Sequence, residues 1–201
     1  MKELPIIGVT GASGAGKSAV CKILTRMGAY VIDTDKIAHE VILKPKPAYC
    51  EIIDEFRDDL GFLLDSKGEI IRRRLAELVF PNETKLKRLT EITHKYIVKQ
   101  AFDIAVEEQS HRRCKFIVID APLLIEAGMH VNCQKVIGVI ASEALRIERI
   151  IKRDGLPDEQ AKIRAKKQTP LCILLQHADI IIENNGDFAE LERQVLALNI
   201  V

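Results

Sequence analysis

Gly11, Ala12, Ser13, Gly14, Ala15, Gly16, Lys17 and Ser18 match the pattern G-x-x-x-x-G-K-[ST] at every position. Residues of these types at this spacing can hold a polyphosphate. Glycines reach backbone angles closed to other residues, so successive N–H groups can turn inward on an anion. A helix opening near Gly16 adds unpaired N–H groups and the positive end of its dipole. In such loops the lysine, here Lys17, reaches the β- and γ-phosphates, and the hydroxyl of Ser18 is placed to bind Mg²⁺. All eight residues are therefore candidates for holding ATP.

Three carboxylates could serve phosphoryl transfer beside this loop. Asp120 closes the run Phe116-Ile117-Val118-Ile119. A carboxylate at the end of a central strand suits a metal role with Ser18, either directly or through water. The plainer alternative is a cap on a following helix, but Pro122 makes that helix start irregular. Asp33-Thr34-Asp35 closes a second run. One of these carboxylates can take the proton of an attacking hydroxyl while the other orients it, and Asp33 could instead cap a helix expected from Lys36. The residues alone leave open which of Asp33 and Asp35 is the base.

Five short β-branched runs position these groups: Ile6–Thr10, Ala29–Asp33, Phe116–Asp120, Val136–Ile140 and Asp179–Glu183. Each is nearly continuous in apolar residues, which predicts strands covered on both faces. Helical patterns separate them; the first, Ala19 to Met27, stops at Gly28. Strands alternating with helices imply an α/β fold with a parallel sheet and right-handed crossovers. Residues 34–114 hold only helical patterns. These are marked by Ile37 and Val41; by Ile52, Ile53, Phe56 and Leu60; by Ile71, Leu75 and Val79, ending at Pro81; and by a long helix through Leu86, Ile92 and Ile97. We read them as an inserted helical region for an acceptor substrate, with crossover packing as the bland alternative. The reading divides the chain into a nucleotide core at about 1–33, 115–141 and 179–201, an insertion at about 34–114 and a lid at about 142–178. Residues 142–168 carry eight basic against five acidic residues, a positive surplus where a phosphate-covering lid would sit.

Composition limits the alternatives. The 201 residues are 47% hydrophobic and 29% charged with formal charge +1, which fits one globular domain and not a dedicated nucleic-acid binder. The five cysteines are scattered and form no Cys-x-x-Cys pair, so reduced thiols in a cytoplasmic protein are expected. The first apolar run ends at Thr10 and leads into glycines, so neither a signal peptide nor a membrane span is expected. No obligate protein partner is evident.

In order and spacing, these blocks resemble the dephospho-coenzyme A kinase family over almost the whole chain. Gly8-Val9-Thr10-Gly11 with the phosphate loop looks like the family's start. Asp33-Thr34-Asp35 with Ile37-Ala38-His39-Glu40-Val41 is similar to its Asp-Ala-Asp segment. Similar blocks run from Gly68 through Arg72, Leu75, Val79 and Phe80; from Asp120 through Pro122, Leu123, Leu124 and Glu126; through Arg149, Arg153-Asp154-Gly155-Leu156 and Gln168; and through Asn184-Asn185-Gly186.

The resemblance implies a three-layer P-loop fold with a five-stranded parallel sheet, a helical coenzyme A region and a helical lid. It implies that ATP phosphorylates the ribose 3′-hydroxyl of dephospho-coenzyme A. It favours Asp35 as base, puts Arg72, His94 and Leu123 on the acceptor, and puts Arg149 and Arg153 in the lid near the moving phosphoryl group. Asn184 falls near the adenine. Three departures are visible. Ala12, Ser13 and Ala15 replace the family's usual loop residues, Lys95 replaces a proline after His94, and Ile125 replaces an aromatic residue. The loop itself is closer to those of uridine-kinase-like enzymes, which the Pro122-Leu123-Leu124 block and the long insertion disfavour. A GTPase would need an Asn-Lys-x-Asp segment, and none is present.

Overall fold

The computed structural model describes residues 3–166 and 171–200. Gln168, part of the lid resemblance, lies outside the described residues. The five β-branched runs form the strands β1 (Ile6–Gly11), β2 (Ala29–Asp33), β3 (Phe116–Asp120), β4 (Lys135–Ile140) and β5 (Ile180–Glu183). They make one parallel sheet in the order β2-β3-β1-β4-β5. β1 lies between β3 and β4. The connection after β1 leads to β2 on one side, and that after β4 leads to β5 on the other, so the chain switches direction beside the end of β1. Ligands of open parallel sheets gather outside the carboxyl ends at such a point.

The helices follow in chain order: α1 (Lys17–Arg26), α2 (Thr34–Val41), α3 (Pro47–Glu55), α4 (Leu60–Leu63), α5 (Arg72–Val79), α6 (Glu83–His111), α7 (Glu143–Asp154), α8 (Asp158–Lys166), α9 (Leu171–His177) and α10 (Phe188–Leu196). The chain divides into two compact units. One is Met1–Asp33 with Ile104–Val201, and the other is Thr34–Asp103.

The first unit is built on the sheet. Ile7, Val9, Phe116, Val118, Ile137, Val139 and Ile182 of one face pack with Val20, Ile23 and Leu24 of α1 and Leu191 and Val195 of α10. The opposite face is covered by α9 and by the segment after β3, where Leu124 and Met129 are buried. Helices and loop segments on both faces give three layers. α7 and α8 form a helical hairpin with a small core of its own, in which Ile150, Ala161 and Ala165 are buried and Ile147, Ile151 and Leu156 pack against them. Gly155, at φ 64°, ends α7. Leu24 is fully buried at the centre of the main core. Leu24→Ala is therefore expected to destabilise the protein by about 2–5 kcal/mol, seen as a lower urea midpoint at unchanged slope.

The second unit is helical. Ile37, Val41, Ala48, Ile52, Phe56, Leu63, Leu75, Val79, Ile92 and Ile97 are buried. Glu51 binds both Lys95 and Tyr96, and Arg88 pairs with Glu55 at 2.9 Å, so α6 is tied to α3. The turn before α5 is held by Asp65, whose Oδ1 accepts from the Lys67 and Glu69 amides at 2.8 Å each. These contacts, with those from the Glu69 and Lys67 amides first, lower the Asp65 pKa. The single helix expected through Ile52 and Leu60 is instead broken. α3 ends at Glu55, a 3-10 turn covers Arg57–Asp59, and α4 follows. Two consecutive aspartates, poor helix formers, occupy the break. With no proline after His94, α6 runs on to His111.

Candidate active site

The loop from Gly11 to Ser18 joins β1 to α1 at the carboxyl edge of the sheet. Gly14 and Gly16 have φ of 80° and 100°, in the left-handed region that favours glycine. Space closes the same positions. A Cβ on Gly14 would lie 2.5 Å from the Arg146 carbonyl oxygen, and one on Gly16 would lie 1.9 Å from the Asn184 amide nitrogen. The Ala15 amide donates to the Ala12 carbonyl at 3.0 Å, which makes the loop a tight turn. The first turn of α1 contains no acidic residue, so nothing there opposes an anion on its N–H groups.

The outer rim of the loop is held through its carbonyls. Arg146 Nε donates to the Ser13 carbonyl at 3.2 Å, Arg149 Nη1 to the Gly14 carbonyl at 3.2 Å, and Asn184 Nδ2 to the Ala15 carbonyl at 2.8 Å. In a planar trans peptide the N–H points opposite to the C=O. Carbonyls drawn outward therefore turn the Gly14 and Gly16 amides toward the hollow. The structure thus gives Arg149 and Asn184 backbone work. Arg149 Nη2 also donates to the Asn184 carbonyl at 3.1 Å, and Asn184 itself is buried.

Lys17 is ion-paired with Asp120 across the loop, with side chains 13% and 11% exposed. Asp33 stands beside Asp120 in the β2–β3 register, so two carboxylates share this edge of the sheet. Cys21, one turn along α1 from Lys17, is buried and hydrogen-bonds Asp120. Burial, and then the Asp120 charge, push its thiol pKa far upward, so Cys21 remains a neutral S–H donor. Cys133, half-buried, is pushed up to about 12 by burial. No helix begins at Asp120; the next element is a 3-10 turn at Met129–Asn132. The chain turns, and Thr10 Oγ1 donates to the Pro122 carbonyl at 3.2 Å. Leu123 is exposed just beyond.

Arg153 Nη2 donates to Ser13 Oγ at 3.3 Å and also, with Nε, grips Asp154. Arg164 reaches the same carboxylate at 2.9 Å. The Arg153 hydrogen bonds lower the Asp154 pKa first, and the charges of Arg153 and Arg164 add to this. The core unit therefore brings together Gly11–Ser18, Asp33, Asp120, Arg149, Arg153 and Asn184. In the helical unit, Asp35 is exposed in the first turn of α2, Arg72 opens α5 and is exposed, and His94 is half-buried within α6.

Sequence reasoning missed two contacts. Arg146 was counted only within the basic surplus, although its i, i+3, i+7 spacing with Arg149 and Arg153 puts all three on one helix face. Cys21 stands out in the sequence only as one of five scattered thiols.

Known proteins match this architecture. The model of the dephospho-CoA kinase family covers residues 5–190. A dephospho-CoA kinase from Aquifex aeolicus is 38% identical over 189 residues, spanning 94% of this chain and 93% of that protein. Among solved structures, TT1252 from Thermus thermophilus superposes with a TM-score of 0.77 at 29% identity, covering 98% of this chain and 96% of the other. Dephospho-CoA kinase from Campylobacter jejuni gives a TM-score of 0.63 at 28% identity, covering 95% and 93%.

Proposed function

We propose, from the premise that this chain belongs to the dephospho-CoA kinase family, roles for its own residues in that family's reaction. The reaction is the ATP-dependent phosphorylation of dephospho-coenzyme A at its ribose 3′-hydroxyl, the last step of coenzyme A biosynthesis. The observation that carries the assignment of roles is the Gly11–Ser18 loop with its carbonyls drawn outward and Lys17 held against Asp120.

The β- and γ-phosphates of ATP rest on the inward amides and the first turn of α1, and the Lys17 ammonium turns to them. The oxygen donors here suit Mg²⁺, which binds through one or two protein oxygens together with phosphate. Among the described residues no group of three or more His, Cys, Asp or Glu could hold a metal alone, in keeping with that mode. Ser18 and Asp120 would hold the ion, which when bound neutralises phosphate charge. Asp35 accepts the proton of the 3′-hydroxyl. The hydroxyl oxygen forms a bond to the γ-phosphorus as the bond to the β,γ-bridging oxygen breaks, and ADP leaves. Arg149 and Arg153 would neutralise charge on the transferring group from the lid, Arg149 also shaping the cradle and Arg153 also contacting Ser13 and Asp154.

Acceptor binding falls to the helical unit, with Arg72 and His94 as polar contacts and exposed Leu123 as an apolar one. The α7–α9 region acts as the lid, and Asn184 supports the adenine end as well as the loop. The five cysteines are free, which supports a reducing, cytoplasmic setting. Among the described residues no helix is long and apolar enough to cross a membrane. The test is ADP release with dephospho-coenzyme A beside uridine, cytidine and nucleoside monophosphates. Turnover with dephospho-coenzyme A should exceed the others, and faster turnover of a nucleoside overturns the assignment.

A further inference from the structure

Among the described residues, the Arg146 guanidinium reaches the backbone of two elements. Its Nε donates to the Ser13 carbonyl of the phosphate loop at 3.2 Å, and its Nη2 donates to the Ala165 carbonyl in the last turn of α8 at 2.7 Å. The side chain is half-buried, and burial lowers its pKa. Its own backbone lies against Gly14, so close that Gly14 admits no side chain. A guanidinium presents several N–H donors in a rigid plane, so two carbonyls can be held at a fixed mutual geometry. An ammonium on a flexible stem has no such plane.

We infer that Arg146 is a positioning residue that straps α8 to the phosphate loop and sets the Ser13–Gly14 peptide with its N–H toward the bound phosphate. The two contacts serve different ends. The bond to Ser13 fixes one peptide plane of the cradle, because an outward carbonyl forces an inward amide. The bond to Ala165 ties the guanidinium to the backbone of α8 at 2.7 Å. α8 carries Arg164, which shares Asp154 with Arg153. The strap therefore places the arginine cluster of the α7–α8 hairpin in step with the loop that takes the phosphates. The inference deepens the kinase reading and rests on it only for residues 11–18 being a phosphate cradle.

The test uses inorganic tripolyphosphate, which engages the cradle without any acceptor or adenosine. Its dissociation constant is measured by calorimetry for the full chain and for Arg146→Ala and Arg146→Lys. Arg146→Ala is expected to weaken binding about tenfold, the worth of one charge-assisted hydrogen bond. Arg146→Lys keeps the charge but loses the fork, and should recover less than half of that loss on a logarithmic scale. Amide exchange in α8 should quicken in both variants while α10 is unchanged. Full recovery by lysine would make charge alone responsible and overturns the strap, as does unchanged affinity in both variants. Exchange quickening equally in α8 and α10 would assign the effect to global stability and also overturns it. If Arg146→Ala fails to fold, Arg146→Lys is read against the unaltered chain: binding weakened by about threefold or more supports the strap, and unchanged affinity overturns it. Absence of activity toward dephospho-coenzyme A would sink the functional assignment without altering this result.

Discussion

Lys17→Ala is expected to lower kcat/KM by on the order of 10²–10³, the loss that follows removal of one charged donor aimed at a reacting group. The structure adds a second consequence. Lys17 is the cation paired with Asp120, and both side chains are nearly enclosed. Removing one partner of a buried pair leaves the other charge uncompensated, a destabilisation of about 3–5 kcal/mol when burial is complete and less here. The Cys21 thiol still donates to Asp120 and offsets part of that loss. Activity and stability can be separated with a double variant. Lys17→Ala/Asp120→Asn should regain thermal stability over Lys17→Ala yet stay inactive, because an amide needs no cation but the phosphates do. Turnover with ATP and dephospho-coenzyme A, read beside thermal melts, checks both. Near-normal turnover in the single variant would remove the cradle from the mechanism.

The strands were legible to within a residue or so at each end, because parallel strands covered on both faces must be nearly all apolar and their runs stand out. The phosphate loop was legible because its glycines are dictated by backbone angles that few other residues adopt. Helix limits were less so. The phosphate-loop motif put the first helix start near Gly16, where it is, although the apolar pattern begins only at Ala19; the helix expected from Lys36 starts at Thr34, since first turns carry no apolar periodicity of their own.

The division between units at residues 103 and 104 falls inside the unbroken helix α6, where no glycine, proline or polar cluster marks it. Asn184 meets Ala15 across 169 positions of sequence, and Arg146 meets Ser13 across 133. Contacts of that range follow from strand order, which no local pattern encodes. The resemblance placed Asn184 near the adenine from its position after the last strand. Its bond to the loop carbonyl is a matter of side-chain reach that appears only once β5 is set at the sheet edge beside β4.

Asp35→Asn is expected to lower kcat by about 10²–10⁴ while ATP binding is retained, because the amide keeps the shape of the carboxylate but cannot take a proton. The choice between the two acids rests on their surroundings. Asp33 ends β2 in register with Asp120 on the neighbouring strand, and adjacent strands lie about 4.8 Å apart. Two acidic residues at paired strand ends favour a cation at that edge, which ties Asp33 to the charge balance around Lys17 and a bound Mg²⁺. Asp35 is two residues further on, in the first turn of α2, and it is exposed, so an alcohol can approach it. The two variants should therefore fail differently. Asp35→Asn should lose kcat with its Mg²⁺ requirement unchanged. Asp33→Asn should need more Mg²⁺ for half-maximal rate and recover much of its activity when that is supplied. Steady-state rates across a Mg²⁺ titration separate the two. A silent Asp35→Asn beside an Asp33→Asn that no Mg²⁺ concentration rescues would move the base to Asp33. The carboxylate pair at the sheet edge would then be the proton acceptor, and α2 would begin with an ordinary first-turn acid stabilising its own dipole.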